Sequence, residues 1–407
     1  MYNNGTTHDI IPVGEMVKPL RILISSNSAW ASTGYGVLCK GLAYGLKDMG
    51  HTVAVHGWYG LQGGVINAGG ILTYPRLRHS FGGDTAVVAN HFQADIVISI
   101  QDVWILPDDF ADTLPCPWAA WVTIDGYPLP KPIGERMKSC RYPVAYSKFG
   151  LQMMEEYGIE NAQYIPLGLS NDYYPELEKR DELRRQLGVN DDTFVVTMVA
   201  ANKGYPSRKS YPEAIAGFAR FHEKHPNSLL YLHTDIKAGD GLELLDIYTA
   251  CGLDHTAVKW TNQDSYLLGM DGEFMRQLYQ ASDVLLNPAK SEGFGLPIVE
   301  AQACGTPVIT NHHSAMPEVT RLGWCLKPLQ QEYNPLGQWF SVASIEDIAA
   351  ALEDIYKNPP SEQRRMQTSY DLIAEYNWQN VLRQWQEKVL SPLAELKQPV
   401  NEVAYAD

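Results

Sequence analysis

What this chain lacks narrows its class first. Its six cysteines (Cys39, Cys116, Cys140, Cys251, Cys304 and Cys325) are scattered, with no Cys-x-x-Cys pair. That argues against a zinc cluster or a disulfide frame, and for reduced thiols in a cytosol. No apolar run approaches the roughly 18 residues that span a bilayer. The stretch MYNNGTTHDIIPVGE has neither a basic n-region nor an apolar h-region, so no secretory leader is expected and a cytoplasmic location is. Charge is scarce: 19% of the 407 residues are charged, against 45% hydrophobic, which reads as globular. The net charge of -15 disfavours broad nonspecific contact with nucleic acid or anionic lipid. No Asp-x-Asp metal motif is present, and Asp271-Gly272-Glu273 reads as a turn.

The charge that is there is uneven. Residues 1–180 carry 13 Lys+Arg and 17 Asp+Glu, hence -4, and residues 181–407 carry 19 and 30, hence -11. An anionic partner is therefore better placed in the first half. Its one basic cluster is Lys131, Arg136, Lys138, Arg141 and Lys148, which reads first as a solvated face.

Length makes two domains the starting expectation. RILIS at Arg21–Ser25 is a buried strand, followed by the small-residue loop SNSAWASTGYG. A helix with Leu38, Leu42, Leu46 and Met49 comes next, capped by Gly50, and a strand from His51. Further strands are predicted at Ile96–Ile100, Trp118–Ile124 and Val144–Tyr146. The pattern restarts with a strand Phe194–Ala200, a polar loop and a helix Tyr211–His225. Strands Leu229–Leu232 and Val284–Asn287, a helix Pro297–Cys304 and a strand Pro307–Thr310 follow. Two such runs predict two doubly wound α/β domains, 1–175 and 186–375, joined by a polar, turn-rich stretch between Gly168 and Gly188. The tail, 376–407, opens with an amphipathic helix over Tyr376–Leu390, with Trp378, Val381, Leu382, Trp385 and Val389 inward.

Three loops fall at strand ends, where ligands of such sheets sit. In Pro288–Leu296, Gly293 and Gly295 lead into a helix begun by Pro297, an arrangement that suits a phosphate. Glu300, about one turn inside, suits the vicinal hydroxyls of a ribose, and Glu292 would face whatever lies beyond the phosphates. Alone, Gly-x-Gly is more often a plain helix start. In Asn202–Ser210, Lys203, Arg208 and Lys209 could neutralise a diphosphate. In Ser26–Gly36, Gly34 offers a second phosphate-compatible point. That loop is not a dinucleotide fingerprint, because position 39 is Cys.

EGFGLPIVEAQACGTPVI resembles the donor-site signature of the retaining GT-B glycosyltransferases of family 4, with Glu-x7-Glu at Glu292 and Glu300. STGYG, AYSKFGLQMMEEYGIENAQYIPLGLSNDYYPE, NKGYPSRKS and DVLLNPAKSEGFGLP resemble the family's other segments in order, over Arg21–Leu390. The resemblance implies two Rossmann-like domains facing across a cleft, with a C-terminal helix crossing back to the first, acceptor-binding domain. It implies a UDP-, GDP- or ADP-sugar donor, transfer with retention of configuration, and no metal or other cofactor. Glu300 would hold the ribose. The backbone of Gly293, Phe294, Gly295 and Leu296 would meet the phosphates and sugar, and Glu292 would contact the sugar. Lys209, with Lys203 and Arg208, would bind the diphosphate, and Gly34 would approach it from the first domain.

One departure stands out. Where the family places a histidine after the strand, this chain has Asp125, Gly126 and Tyr127, and neither His56 nor His91 is equivalent. The implied catalytic set is Asp125, Glu292 and Lys209. The acceptor stays open among glycans, small molecules, lipid-linked compounds, proteins and modified nucleobases. It would lie near Trp58, Tyr59, Trp104, Trp121 and Tyr127. Three other readings stay open: a two-carboxylate glycoside hydrolase, a sugar-nucleotide epimerase, and a nucleotide-sugar binding protein without catalysis.

Overall fold

RILISSN can be a strand because apolar and small side chains fill both its faces, as a parallel sheet covered by helices on either side demands. In β1 (Arg21–Asn27) only Arg21 is exposed. The computed structural model describes residues 18–78 and 80–396. The outer parts of the two terminal segments, 1–17 and 397–407, lie outside the described residues.

The first sheet holds β1, β2 (Thr52–Tyr59), β3 (Ile66–Ala68), β4 (Ile71–Pro75), β5 (Ile96–Ile100), β6 (Trp118–Val122), β7 (Tyr142–Ala145) and β8 (Gln163–Tyr164). Their order is β3-β4-β2-β1-β5-β6-β7-β8, parallel apart from the β3–β4 pair. The second sheet holds β9 (Phe194–Val199), β10 (Ser228–His233), β11 (Val258–Trp260), β12 (Val284–Asn287), β13 (Val308–Asn311) and β14 (Gly323–Leu326). Its order is β11-β10-β9-β12-β13-β14, all parallel. Strand order reverses between β1 and β5 and again between β9 and β12. The loops after these strands therefore open into the crevices where such sheets take ligands.

Strands β15 (Pro328–Tyr333) and β16 (Trp339–Ala343) form a separate antiparallel hairpin. Sequence periodicity did not show it.

Other departures have simple causes. The β6 strand stops at Val122 and β7 runs Tyr142–Ala145, because the chain leaves the sheet to enter the cleft loops. The joint is not all turn. Leu177–Lys179 is a 3-10 turn and Arg180–Gln186 a helix, with Asp181 and Glu182 at its positive end and Arg184 and Arg185 at its negative end. Arg180 and Arg184 both pair with Asp283, at 2.6 and 3.3 Å. Asp271-Gly272-Glu273 is a helix start and not a turn: Asp271 accepts the Phe274 N–H at the head of Gly272–Ala281. The tail is helical over Trp378–Trp385, then widens to a π-turn at Gln386–Leu390 before a last helix, Ser391–Leu396.

The tail packs on the first domain. The Trp121 ring meets Trp385 edge-on at 5.4 Å and Trp378 at 6.3 Å. Leu169 N donates to Tyr376 O at 2.7 Å, and Lys388 Nζ to Tyr164 O at 2.6 Å. One apolar cluster runs from Ile22 and Ile24 through Trp121 and Trp385 to Leu285 and Val299, so the two sheets share a continuous core. Among the described residues no helix is long and apolar enough to cross a membrane.

Candidate active site

The loop after β12 begins with Pro288 and ends at Gly295. Gly295 sits at φ +92 as the N-cap of the helix Leu296–Ala303, with Pro297 in its first turn. The left-handed torsion favours glycine, and the first N–H groups of a helix have no intrahelical partner. Here Pro297 has no N–H and the Ile298 N–H bonds to Gly295 O at 2.9 Å, which leaves the Leu296 N–H without a partner inside the helix. Gly293 lies against the first domain: a Cβ there would stand 1.8 Å from Thr123 Oγ1. The Glu292 backbone is held by Ser314, whose hydroxyl receives the Glu292 N–H at 3.0 Å and donates to Glu292 O at 2.8 Å. Phe294 is buried against Tyr376, ring centroids 5.4 Å apart, and anchors the loop.

The loop after β9 supplies the cations. Lys209 Nζ lies 2.5 Å from Glu292 Oε1, and Arg208 Nη1 lies 3.5 Å from Glu292 Oε2 and 3.8 Å from Asp125 Oδ2. Arg208 also donates to Ser291 O, and its own carbonyl accepts the Lys290 N–H at 2.8 Å. Water reaches this floor of the cleft (Arg208 keeps 37% of its side chain exposed), yet protein closes around the charges. Burial alone would push the Glu292 carboxyl up, but Lys209 and Arg208 outweigh it and hold Glu292 below the usual range. Burial and the neighbouring Arg208 lower Lys209, against the pull of Glu292. Burial works against Arg208 too, but Glu292, Asp125 and Asp102 keep it firmly charged.

Asp125 joins this group from the first domain. Gln338 Nε2 donates to its Oδ1 at 2.9 Å, and the Ser291 hydroxyl donates to its backbone carbonyl. Asp102, two residues past β5, is a member that sequence reasoning did not find. It sits near Asp125 and Arg208 and accepts a hydrogen bond from Tyr35; burial and Asp125 raise its carboxyl. The only sequence signal was an acid just past a buried strand, one of many in the chain.

Glu300 lies deeper along the same helix. Tyr279 donates its hydroxyl to Glu300 Oε2 at 2.8 Å, and Tyr173 donates as well. Burial raises its carboxyl to about 7 in spite of these two donors.

Not every predicted residue joins the group. Lys203 is exposed on the outer part of its loop, while Arg208 and Lys209 turn inward. Gly34 opens the helix Gly34–Asp48 with clear space around it, and the Thr33 hydroxyl caps that helix by accepting from Gly36 N at 3.0 Å. Of the aromatics placed near an acceptor, Trp121 is fully buried in the shared core and cannot line the cleft. Tyr59 and Trp104 are exposed, Trp58 is nearly buried, and Tyr127 packs on His313 at 5.7 Å. In the basic cluster, Arg136 pairs with Asp108 at 2.7 Å and Lys138 with Glu135 at 3.8 Å. Among the described residues no group of three His, Cys, Asp or Glu side chains is arranged to hold a metal ion.

The same architecture occurs in proteins of known structure. Sucrose-phosphate synthase from Thermosynechococcus elongatus superposes with a TM-score of 0.72 at 16% identity, over 92% of this chain and all of that one. Anabaena HepE in complex with UDP and glucose gives 0.68 at 17%, over 91% of this chain and all of the other. In sequence, the chain is 24% identical over 208 residues to an uncharacterized glycosyltransferase of Methanocaldococcus jannaschii, covering 51% of this chain and 47% of the relative. It is 32% identical over 185 residues to a D-inositol 3-phosphate glycosyltransferase of Rhodococcus erythropolis, covering 44% and 37%. The chain thus spans less than half the length of these curated relatives. Residues 254–371, which include the glycine loop, Glu292 and Glu300, match the model for Glycosyl transferases group 1. The chain has the GT-B fold, and its residues 254–371 match the glycosyl transferases group 1 model.

Proposed function

We propose that this protein is a glycosyltransferase that moves a sugar from a nucleoside diphosphate sugar to an acceptor hydroxyl, retaining anomeric configuration and needing no metal. The observation that carries this reading is the meeting of Lys209 and Arg208 with Glu292 at the glycine-rich start of a helix that also bears Glu300.

Breaking a sugar–phosphate bond builds negative charge on the leaving diphosphate and positive charge on the anomeric carbon. Two cations and a helix N-terminus, fixed in advance, stabilise the first. In the free protein Glu292 balances those cations. A bound diphosphate would take over that balance, leaving Glu292 to accept hydroxyls of the sugar. Glu300, with one flank already held by Tyr279 and Tyr173, would accept the two ribose hydroxyls. Asp125 and Asp102 stand on the first-domain side of the same point, where they can face positive charge or an incoming hydroxyl. A diphosphate oxygen would take the acceptor's proton on the face that the leaving group vacates.

Thermal-shift measurements with UDP-, GDP- and ADP-sugars test the donor, since a ligand of the folded state raises apparent stability. The reading requires at least one to raise Tm. It then requires slow donor hydrolysis or transfer that survives EDTA and gives product of unchanged anomeric configuration. Epimerised donor, or binding with no turnover, would overturn it.

A further inference from the structure

The β15–β16 hairpin belongs to neither parallel sheet. It is tied to the second domain: Ser341 N donates to Lys290 O at 3.0 Å, Asn311 Nδ2 donates to Ser341 O at 2.7 Å, and Lys290 Nζ meets Glu332 at 2.6 Å. Over the same stretch it also reaches the first domain. Trp339 N donates to Tyr127 O at 2.6 Å, and Gln331 donates to the Tyr127 hydroxyl.

At the same crossing Gln338, only 1% exposed, donates to Asp125 at 2.9 Å. A carboxylate only accepts, so the amide must turn its nitrogen toward Asp125. That leaves Gln338 Oε1 enclosed with no hydrogen-bond partner. Buried acceptors are usually satisfied, so an amide that leaves its oxygen unpaired to donate here is a costly feature to keep for packing alone. The loop below is shaped for it: a Cβ on Gly126 would come within 2.9 Å of both Gln338 Cδ and Trp339 O. Asp125 is thus held on three sides by the second domain. Gln338 faces one carboxylate oxygen, Arg208 the other at 3.8 Å, and the Ser291 hydroxyl its backbone carbonyl.

We propose that Gln338 is a positioning residue for Asp125: docking of the hairpin across the cleft is what aims this carboxylate at the sugar. The inference rests on the reading of the site as a glycosyl-transfer centre. Asp125 stands where the resembled family has histidine, and an aspartate on a glycine-containing loop needs outside support to hold one orientation.

The test compares Gln338→Ala and Gln338→Glu in the full chain, with whichever of UDP-, GDP- or ADP-glucose raises Tm most. Gln338→Ala should keep affinity for the matching nucleoside diphosphate while kcat for donor cleavage falls about 10- to 100-fold with little change in KM. Gln338→Glu should be active in acid, while the new carboxyl holds a proton to donate. It should lose activity as pH rises and two carboxylates face each other. A Gln338→Glu pH profile identical to wild type, or equal losses of nucleotide affinity and turnover in Gln338→Ala, would overturn the positioning role.

If no nucleotide sugar shifts the wild-type Tm, the functional reading fails separately. The contact is then decided in unliganded protein by Gln338→Ala, Asp125→Ala and the double variant. Non-additive Tm shifts support it, and additive shifts sink it.

Discussion

Lys209 and Glu292 close the second domain's cleft loops onto each other, Nζ to Oε1 at 2.5 Å, across 83 residues of sequence. Each shields a charge that would otherwise be stranded in a largely closed site. Lys209→Ala leaves Arg208 as the sole neutraliser of Glu292. Turnover with the identified donor should fall about 100-fold, and nucleoside diphosphate affinity should fall with it. Lys209→Arg should restore part of both. Calorimetry and steady-state rates check this, and unchanged kinetics in Lys209→Ala would remove the lysine from the diphosphate site.

Glu300 gives the site a pH dependence with a definite sign. Its carboxyl is raised to about 7, so at pH 6 it is mostly protonated and, if it holds a ribose as proposed, would offer it fewer acceptors. Affinity for a nucleotide sugar, whose diphosphate does not titrate there, should therefore rise with pH through about 7 and then level. Glu300→Gln should flatten the curve, and Glu300→Ala should weaken binding about 10- to 100-fold, the loss of hydrogen bonds to a charged group. Pitting binding at pH 6 against pH 8 decides it.

The same raised carboxyl affects folding in the other direction. Its folded value lies above its unfolded one, so its stabilising share is full below about 4.5 and is lost as pH rises through about 7.

His56 works oppositely. It is 1% exposed, its Nδ1 lies 3.0 Å from Thr85 Oγ1, and burial lowers it to about 4. The unfolded chain binds a proton near 6.5 that the folded one refuses until about 4, so stability should drop as pH falls through that window. The share of His56 is on the order of 3 kcal/mol. His56→Gln should shrink the acid loss of Tm between pH 6.5 and 4. An unchanged acid slope would mean the histidine is protonated in the folded protein.

The return helix should matter as much as either sheet. Trp385 is fully buried against Trp121, and Trp385→Ala should cost about 3–5 kcal/mol of stability through lost burial and a cavity. Trp385→Phe should recover part of it. A Tm within a degree of wild type in Trp385→Ala would show the tail to be dispensable.

Much of this frame is legible in the sequence where one local pattern decides the structure. Ile96–Ile100 and Val284–Asn287 are strands at their predicted bounds, because a short apolar run between polar loops leaves few alternatives. Glu292, Glu300, Arg208 and Lys209 were singled out because each borders a strand end or helix start that announces itself.

What was missed depends on distance. The β15–β16 hairpin shows no clean alternation: β15 is exposed along almost its whole length, so no hydrophobic face marks it. Gln338 is one polar residue among several, and only its approach to Asp125, 213 positions away, gives it meaning. Asp102 likewise acquires its role from Tyr35 and Arg208. Trp121 was misplaced because an aromatic near a cleft and one beneath it look alike in sequence.

The chain passes between its domains twice, outward after Gly168 and back at Tyr376, and Leu169 and Asn377 pair side by side in the same direction. Two crossings set far apart would brace the halves against each other. Lying together, they join the halves along one line and leave the contacts away from it to fix how the halves meet. Away from that line the halves touch at Gly293 and Thr123, at Trp339 and Tyr127, and at Glu318, which accepts from Lys148 N and Phe149 N. The contacts around Asp125 are thus among those that set how the two halves meet.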